Sequence, residues 1–199
     1  MEGTNPVNKK LAAVLSGGAV LVLALSGCSS SSDDGGSDKL NSWAKQVCDA
    51  VQPQAKKIEA ANTAIQKETS DNSAPADVQK TDSQAFQDIS DAYKAMANAV
   101  DKAGAPDVEN GKTKQANAVK ELEGLSSAYA DLKKQTDELD TKDQAKFADG
   151  LKGVATQLEK LSKSGSDALN NLEEGDVGKA MAQQASCKSA SAPASATNG

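Results

Sequence analysis

Three cysteines are the residues of this chain whose chemistry is easiest to predict from their positions. Cys28 follows an apolar run directly, whereas Cys48 and Cys187 lie near the two ends of the chain that remains. The sequence contains no His and no Arg, so the commonest acid/base group and the bidentate anion-binding fork are both missing. Ser-His-Asp and Cys-His catalysis are therefore excluded, and lipidation and disulfide formation are the cysteine chemistry to consider.

Cys28 ends the motif Leu25-Ser26-Gly27-Cys28, which is typical of a lipobox. Lys9 and Lys10 supply a positive n-region, and the apolar run 11–25 is too short for a transmembrane helix. We expect cleavage before Cys28 and acylation of that residue, for example with palmitate. An ordinary secretory signal with an incidental cysteine is the alternative, but the polar run 29–32 fits a lipoprotein better.

The signal predicts an exported protein, anchored by lipid to the outer face of the cytoplasmic membrane. Whether some copies are shed stays open. The site of translation initiation also stays open, because a start at Val7 would give a more typical n-region. Removal of residues 1–27 leaves 20 lysines against 27 acidic residues, a net charge of −7. Such an acidic chain is not expected to bind nucleic acid, which relies on cationic side chains.

Composition divides the chain into four segments. Residues 1–27 are the predicted signal peptide, and 28–38 form a Ser/Gly/Asp tether expected to be flexible. Residues 39–188 form one domain, and the Ser/Ala-rich tail 189–199 is expected to be disordered. We therefore predict that any functional site of the folded protein lies in this one domain of about 150 residues.

Apolar residues within this domain recur at helical spacing, and no window alternates with a period of two. Steps of three and four residues predict an all-α fold with main helices near 39–69, 76–103, 112–139 and 142–163. Glycines divide the remainder into short segments from Asp167 to Glu173 and from Asp176 to Ser186. We predict an up-down-up-down bundle of four main helices plus a short C-terminal helix.

Cys48 and Cys187 provide a check on this topology. An even pair in an exported protein indicates a disulfide, and an up-down-up-down order brings the start of the first helix near the end of the fourth. The bond would join the first and last helices and stabilise the fold by at most about 5 kcal/mol, from the entropy of closing so long a loop. A redox-active pair is the alternative, but the chain lacks Cys-x-x-Cys spacing and has no His or Arg to lower a thiol pKa.

Other candidate sites have simpler structural explanations. The acidic run 137–143 lacks the spacing of a calcium loop and is more typical of helix capping. The core seams of the helices include Tyr93, Met96 and Tyr129. Glycine at 150 and 153 indicates close helix packing, or positions where the helix simply tolerates a glycine. We therefore predict no catalytic, metal or cofactor site, although a Ser-Lys dyad stays open.

The arrangement of these features resembles the small secreted helical lipoproteins of actinomycete-type bacteria. The resemblance rests on Leu25–Cys28, the Ser/Asp/Gly tether, the run from Trp43 to Cys48 and the closing Ala185-Ser186-Cys187. It implies a cell-surface location and a helical fold, and it implies no activity.

These observations favour a non-enzymatic accessory protein that contacts another component of the cell envelope. Its contact with the membrane would be made through the lipid anchor. A carrier that holds a small apolar or lipid ligand between its helices is the alternative. An enzyme that uses paired carboxylates ranks third, because no acidic pair can be placed in space from the sequence.

Overall fold

The computed structural model describes residues 34–68, 73–164 and 167–190, and the structural statements below refer to these ranges. All regular secondary structure in them is α-helical, as predicted. The bounds of the seven helices are α1 Asp34–Glu68, α2 Pro75–Ala103, α3 Gly111–Asp137, α4 Gln144–Ser164, α5 Asp167–Leu172, α6 Asp176–Gln183 and α7 Ala185–Ala190.

The ends of α2 follow the predicted local signals. Pro75 occupies the first turn, where its missing N–H loses no helical hydrogen bond. Gly104 follows the last residue at φ +74°, a conformation that side-chain-bearing residues rarely adopt. Proline at the start and glycine at the end therefore define this helix.

Helix α1 begins earlier than the sequence pattern suggests. It starts at Asp34, inside the segment predicted to be a flexible tether, and residues 36–39 are exposed. It also continues through Pro53, which is exposed and lacks the N–H that would reach the carbonyl of Asp49. Packing against α2 on both sides of Pro53 stabilises the helix despite this missing bond.

Hydrogen bonds between neighbouring helices establish the antiparallel order. Trp43 in α1 bonds Gly104 after the end of α2, and Gln115 at the start of α3 bonds Val100 near that same end. Lys114 in α3 bonds Asn171 in α5. Consecutive long helices therefore run in opposite directions, and we call the end where α1 begins the proximal end and the opposite end the distal end.

The fourth position of the bundle is shared by several helices. Helices α4 and α5 lie along α3, whereas α6 and α7 lie along α1. After α4, helix α5 falls in the predicted segment from Asp167 to Glu173, and α6 and α7 share the predicted C-terminal segment. The segment from Asp176 divides at Gln184, whose extended backbone (φ −78°, ψ 128°) ends α6 without glycine or proline.

The core consists of three adjoining clusters along the bundle. The largest lies at the proximal end and joins α1, α2, α3, α5 and α6 around Val47, Val100 and Val177. A middle cluster contains Ile89, and a distal cluster packs Val154 of α4 against α2 and α3. Many of the contacts involve alanine, and so small a side chain allows the helices to approach closely.

A side chain at the distal end caps a neighbouring helix. Gln79 Nε2 lies 2.9 Å from the carbonyl oxygens of both Thr136 and Leu139 and 3.2 Å from that of Asp137. The last carbonyls of a helix have no intrahelical donor, so the Gln79 amide supplies a bond that the C-terminus of α3 lacks.

Replacing Gln79 by alanine is expected to lower the free energy of unfolding by about 1–2 kcal/mol, because half-buried carbonyls lose their donor. Urea unfolding of the purified protein would measure the change. Gln84→Ala is the matched control, since Gln84 is exposed and its side chain donates to Asp88 of its own helix. Equal stabilities of the two variants would contradict the capping role.

Candidate functional site

The predicted disulfide is present. Cys48 of α1 and Cys187 of α7 are bonded, with 5.0 Å between their Cα atoms and 139 positions between them in sequence. Cys48 is completely buried. The bond joins the first and last helices as predicted, and it attaches the C-terminal segment to the proximal half of the bundle.

A polar cluster flanks this bond on the surface. The Ser186 hydroxyl donates to Asp49 Oδ1, and Lys45 Nζ lies 2.6 Å from Asp49 Oδ2. The hydrogen bonds from Lys45 and Ser186 lower the pKa of Asp49. The Ser186–Asp49 hydrogen bond thus adds a second link between α7 and α1 next to the disulfide.

Cys28, the predicted lipidation site, lies outside the described residues, and so does the cleavage site before it. No helix within the described ranges combines the length and the apolar character needed to cross a bilayer.

An open cleft lies at the proximal end between α1 and the connection that follows α2. Its volume is about 490 Å³. Trp43 forms one wall and is held there by a 2.8 Å hydrogen bond from Nε1 to the Gly104 carbonyl oxygen. Exposed Lys39 and Asp107 pair across it at 3.9 Å. The remaining lining residues are Asp38, Ser42, Gln46, Ala103 and Ala105.

The groups in this cleft can form hydrogen bonds and ion pairs. The cleft is therefore suited to contact with another polar surface. The sequence pattern identifies Trp43 only as a core residue. The cleft itself forms because the connection after α2 lies close to α1 at Gly104. The one sequence signal for this cleft is a tryptophan near the start of a helix, because the N–H of a buried tryptophan needs a hydrogen-bond partner.

A second open cleft of about 450 Å³ runs along the C-terminal half of α1. The described residues that line it, all on this one helix, are Lys56, Glu59, Ala60, Thr63, Ala64 and Lys67. Each of them is exposed. This face carries alternating charges and small side chains, and that pattern is typical of a solvated helix surface.

The acidic run 137–143 forms caps and ion pairs. Asp143 Oδ1 accepts hydrogen bonds from the backbone N–H groups of Ala145 and Lys146, both at 3.1 Å, and these contacts together with the Lys146 side chain lower the Asp143 pKa. Asp137 is bonded by Lys133 at 2.6 Å and by Ser83 at 2.5 Å. The predicted N-cap of α4 is confirmed.

The aromatic and glycine candidates also have structural roles. Tyr93 and Tyr129 stack with ring centroids 5.6 Å apart, and burial raises the pKa of Tyr93 to about 12, with a smaller effect from Tyr129. Met96 is buried in the proximal cluster. A side chain at Gly150 would require the Leu139 side chain to shift, whereas Gly153 faces open space.

One buried ionisable residue was missed by sequence reasoning. Asp82 of α2 is only 8% exposed, and its Oδ1 has no hydrogen-bond partner. Burial, and to a smaller extent the negative charge of Glu68, raises its pKa to about 6. A helical pattern of period 3.6 places Asp82 on the same seam as Phe86 and Ile89, and this position is the only sequence signal for its burial.

Among the described residues, no three His, Cys, Asp or Glu side chains are grouped as a ready-made metal site. Comparison with known proteins gives no match for this chain, whether to a protein-family model, to a curated protein or to a solved structure.

Proposed function

We propose that this protein is an exported, lipid-anchored, non-enzymatic accessory protein of the cell envelope that acts by contacting another envelope component. The observation that carries the proposal is the Leu25–Cys28 motif, which lies just ahead of a disulfide-closed helical domain. A disulfide is typical of a compartment outside the cytoplasm, so the two features support the same location.

The position of α1 relates the anchor to the domain. Cys28 precedes the first helical residue, Asp34, by six positions. Six residues span at most about 20 Å when fully extended. An acylated Cys28 would therefore keep the proximal end, with its Trp43 cleft, close to the membrane and leave the distal end accessible to partners farther out.

The surface supports contacts more than catalysis. Both described clefts are open, and their charged and polar linings include Lys39, Asp107 and Lys56. The net charge of −7 after removal of residues 1–27 favours basic partners. Attachment to a membrane raises the local concentration of the protein, so weak contacts of this kind become effective.

Cys28→Ala tests the anchor. The wild-type protein is expected in the membrane fraction, with the mass of an acylated chain that begins at residue 28, because only the cysteine thiol accepts the lipid. The variant should lose both the acyl mass and detergent-phase partitioning. Cys187→Ala is the matched control and should remain acylated; a membrane-bound, unacylated wild-type protein would contradict the proposal.

Crosslinking on intact cells tests the accessory role. One dominant envelope protein, captured with wild type and lost with Cys28→Ala, would support the proposal. Lys39→Glu, which reverses a charge of the Trp43 cleft, should weaken capture if that cleft forms the contact. Capture of no specific partner, together with lipid extracted from the purified bundle, would contradict the accessory role and favour a ligand carrier.

A further inference from the structure

The cleft at the proximal end carries both signs of charge at its opening. Lys39 of α1 and Asp107 of the connection after α2 face each other across it, with 3.9 Å between Nζ and Oδ2. Their side chains are 75% and 64% exposed, and an exposed pair of this kind contributes little to stability. The pair can therefore separate at small cost, which makes both charges available to an incoming ligand.

Buried contacts hold the two walls of this cleft together. The Trp43 Nε1–H group donates to the Gly104 carbonyl oxygen at 2.8 Å and so joins α1 to the connection. Asp107 follows buried Pro106, and the Val108 N–H group donates to the Pro106 carbonyl oxygen at 2.8 Å. Val108 itself packs against the proximal core cluster. The exposed Asp107 carboxylate is thus positioned by packed residues on both sides of it.

Polar side chains of α1 complete the lining on one side. Ser42 and Gln46 lie three and seven positions after Lys39, which places all three on one face of the helix. The hydroxyl and the amide can donate hydrogen bonds, and Asp38 adds a second carboxylate to that of Asp107. Among the described residues that line the cleft, one is therefore a cation and two are carboxylates. Its volume of about 490 Å³ lies in the range of small-molecule sites.

We propose that this cleft binds the headgroup of a zwitterionic phospholipid that carries a primary ammonium group. Lys39 would bind the phosphate together with the Ser42 hydroxyl and the Gln46 amide. Asp107 and Asp38 would bind the ammonium group, so one loose ion pair would be exchanged for two. A ligand of one sign alone would meet a like charge in the cleft, so the lining favours a dipolar ligand over an anionic headgroup or a simple cation.

The location of the cleft suits such a ligand. This inference rests on the proposed function, because it requires a membrane beside the proximal end. Lys39 lies five residues after Asp34, about 8 Å farther along the helix axis, and the six residues before Asp34 span at most about 20 Å. An acylated Cys28 would thus keep the cleft within reach of headgroups of the same leaflet. Attachment also makes the encounter intramolecular, at an effective concentration on the order of 1 mM, so weak binding is sufficient.

The test follows the fluorescence of Trp43, which is the only tryptophan of the chain and forms a wall of the cleft. A chain of residues 29–199 retains every described helix and the disulfide, and is titrated with glycerophosphoethanolamine, the soluble headgroup. We expect a saturable change with a dissociation constant of about 1 mM, an affinity that matches the effective concentration. The same chain should float with vesicles of phosphatidylethanolamine and phosphatidylcholine more than with phosphatidylcholine alone, whose quaternary ammonium has no N–H to donate.

Variants of the two facing charges test the assignment. Lys39→Gln and Asp107→Asn should each weaken binding by about two- to fivefold, the effect of losing one exposed ion pair. Lys45→Gln is the matched control, because Lys45 is an exposed lysine of the same helix that pairs with Asp49 and does not line the cleft. Asp149→Asn, in α4, is the matched carboxylate control. Both controls should leave the affinity unchanged.

No saturable change up to about 10 mM glycerophosphoethanolamine (roughly tenfold above the expected constant), or a change that Lys39→Gln and Asp107→Asn leave intact, would overturn the proposal. Equal affinity for inorganic phosphate or for ethanolamine would overturn the zwitterionic assignment. Binding of the soluble headgroup without flotation on phosphatidylethanolamine vesicles would overturn the membrane as its source. Acylation of Cys28 is measured separately by mass, so a failure of headgroup binding is distinguishable from a failure of the proposed function.

Discussion

Replacing both Cys48 and Cys187 by alanine is expected to lower the free energy of unfolding by about 2–5 kcal/mol. The bond closes a loop of 139 positions, so it removes much conformational freedom from the unfolded chain. Loss of the bond should also have a local effect. The described side chains of α7 are at most half-buried, and the disulfide and the Ser186–Asp49 hydrogen bond join this helix to α1.

Urea unfolding of the wild type and of the double variant would measure the global effect, and hydrogen exchange would locate the local one. Faster exchange is expected at 185–190, while the α2–α3 interface should stay protected. Reduction of the wild type should reproduce the effect of the double variant. Ser186→Ala, which leaves the disulfide intact, is the matched control and should change stability far less. Unchanged stability of the double variant would contradict the stabilising role.

Asp82→Asn is expected to remove a pH dependence of stability worth about 2 kcal/mol between pH 4 and pH 8. The Asp82 pKa is raised from 3.8 to about 6 in the folded protein, chiefly by burial. The folded state therefore binds more protons than the unfolded state between these values. Stability contributed by protonated Asp82 is fully present below pH 3.8 and is lost as the pH rises through about 6.

The asparagine side chain is uncharged at every pH, so the variant should gain stability relative to wild type as the pH rises. Comparison of the two pH profiles cancels any constant effect of the new amide. Asp137→Asn is the control of opposite sign, because hydrogen bonds from Lys133 and Ser83 lower the Asp137 pKa. Its carboxylate contributes stability at neutral pH that is lost as the pH falls through its depressed pKa. Parallel profiles for wild type and Asp82→Asn would contradict the prediction.

The main helices were predictable because their signals are local. Apolar residues at steps of three and four determine which face of each helix is buried, and Phe86 and Val154 accordingly lie in the core. Pro75 and Gly104 mark the two ends of α2, and Asp143 caps α4 through its own backbone neighbours. The disulfide was also predictable, because Cys48 and Cys187 are the two cysteines that remain once Cys28 is assigned to the predicted lipobox.

The C-terminal helices were less predictable. No glycine or proline marks the break at Gln184, and its position follows from how α6 and α7 pack on α1. Ser186 and Asp49 lie 137 positions apart, so no local pattern connects them. Helix α1 also extends to Asp34, within a segment whose composition is typical of a tether.

The sequence by itself thus determined the helical class, the antiparallel order and the pairing of Cys48 with Cys187, since spacing and elimination were sufficient for each. Only the tertiary structure decided the Trp43–Gly104 cleft, the Gln79 cap on α3 and the burial of Asp82, whose Oδ1 has no hydrogen-bond partner. The physical reason is that each of these features depends on how separate elements of the chain pack against one another. Their contacts arise from packing geometry, which helical periodicity alone does not specify.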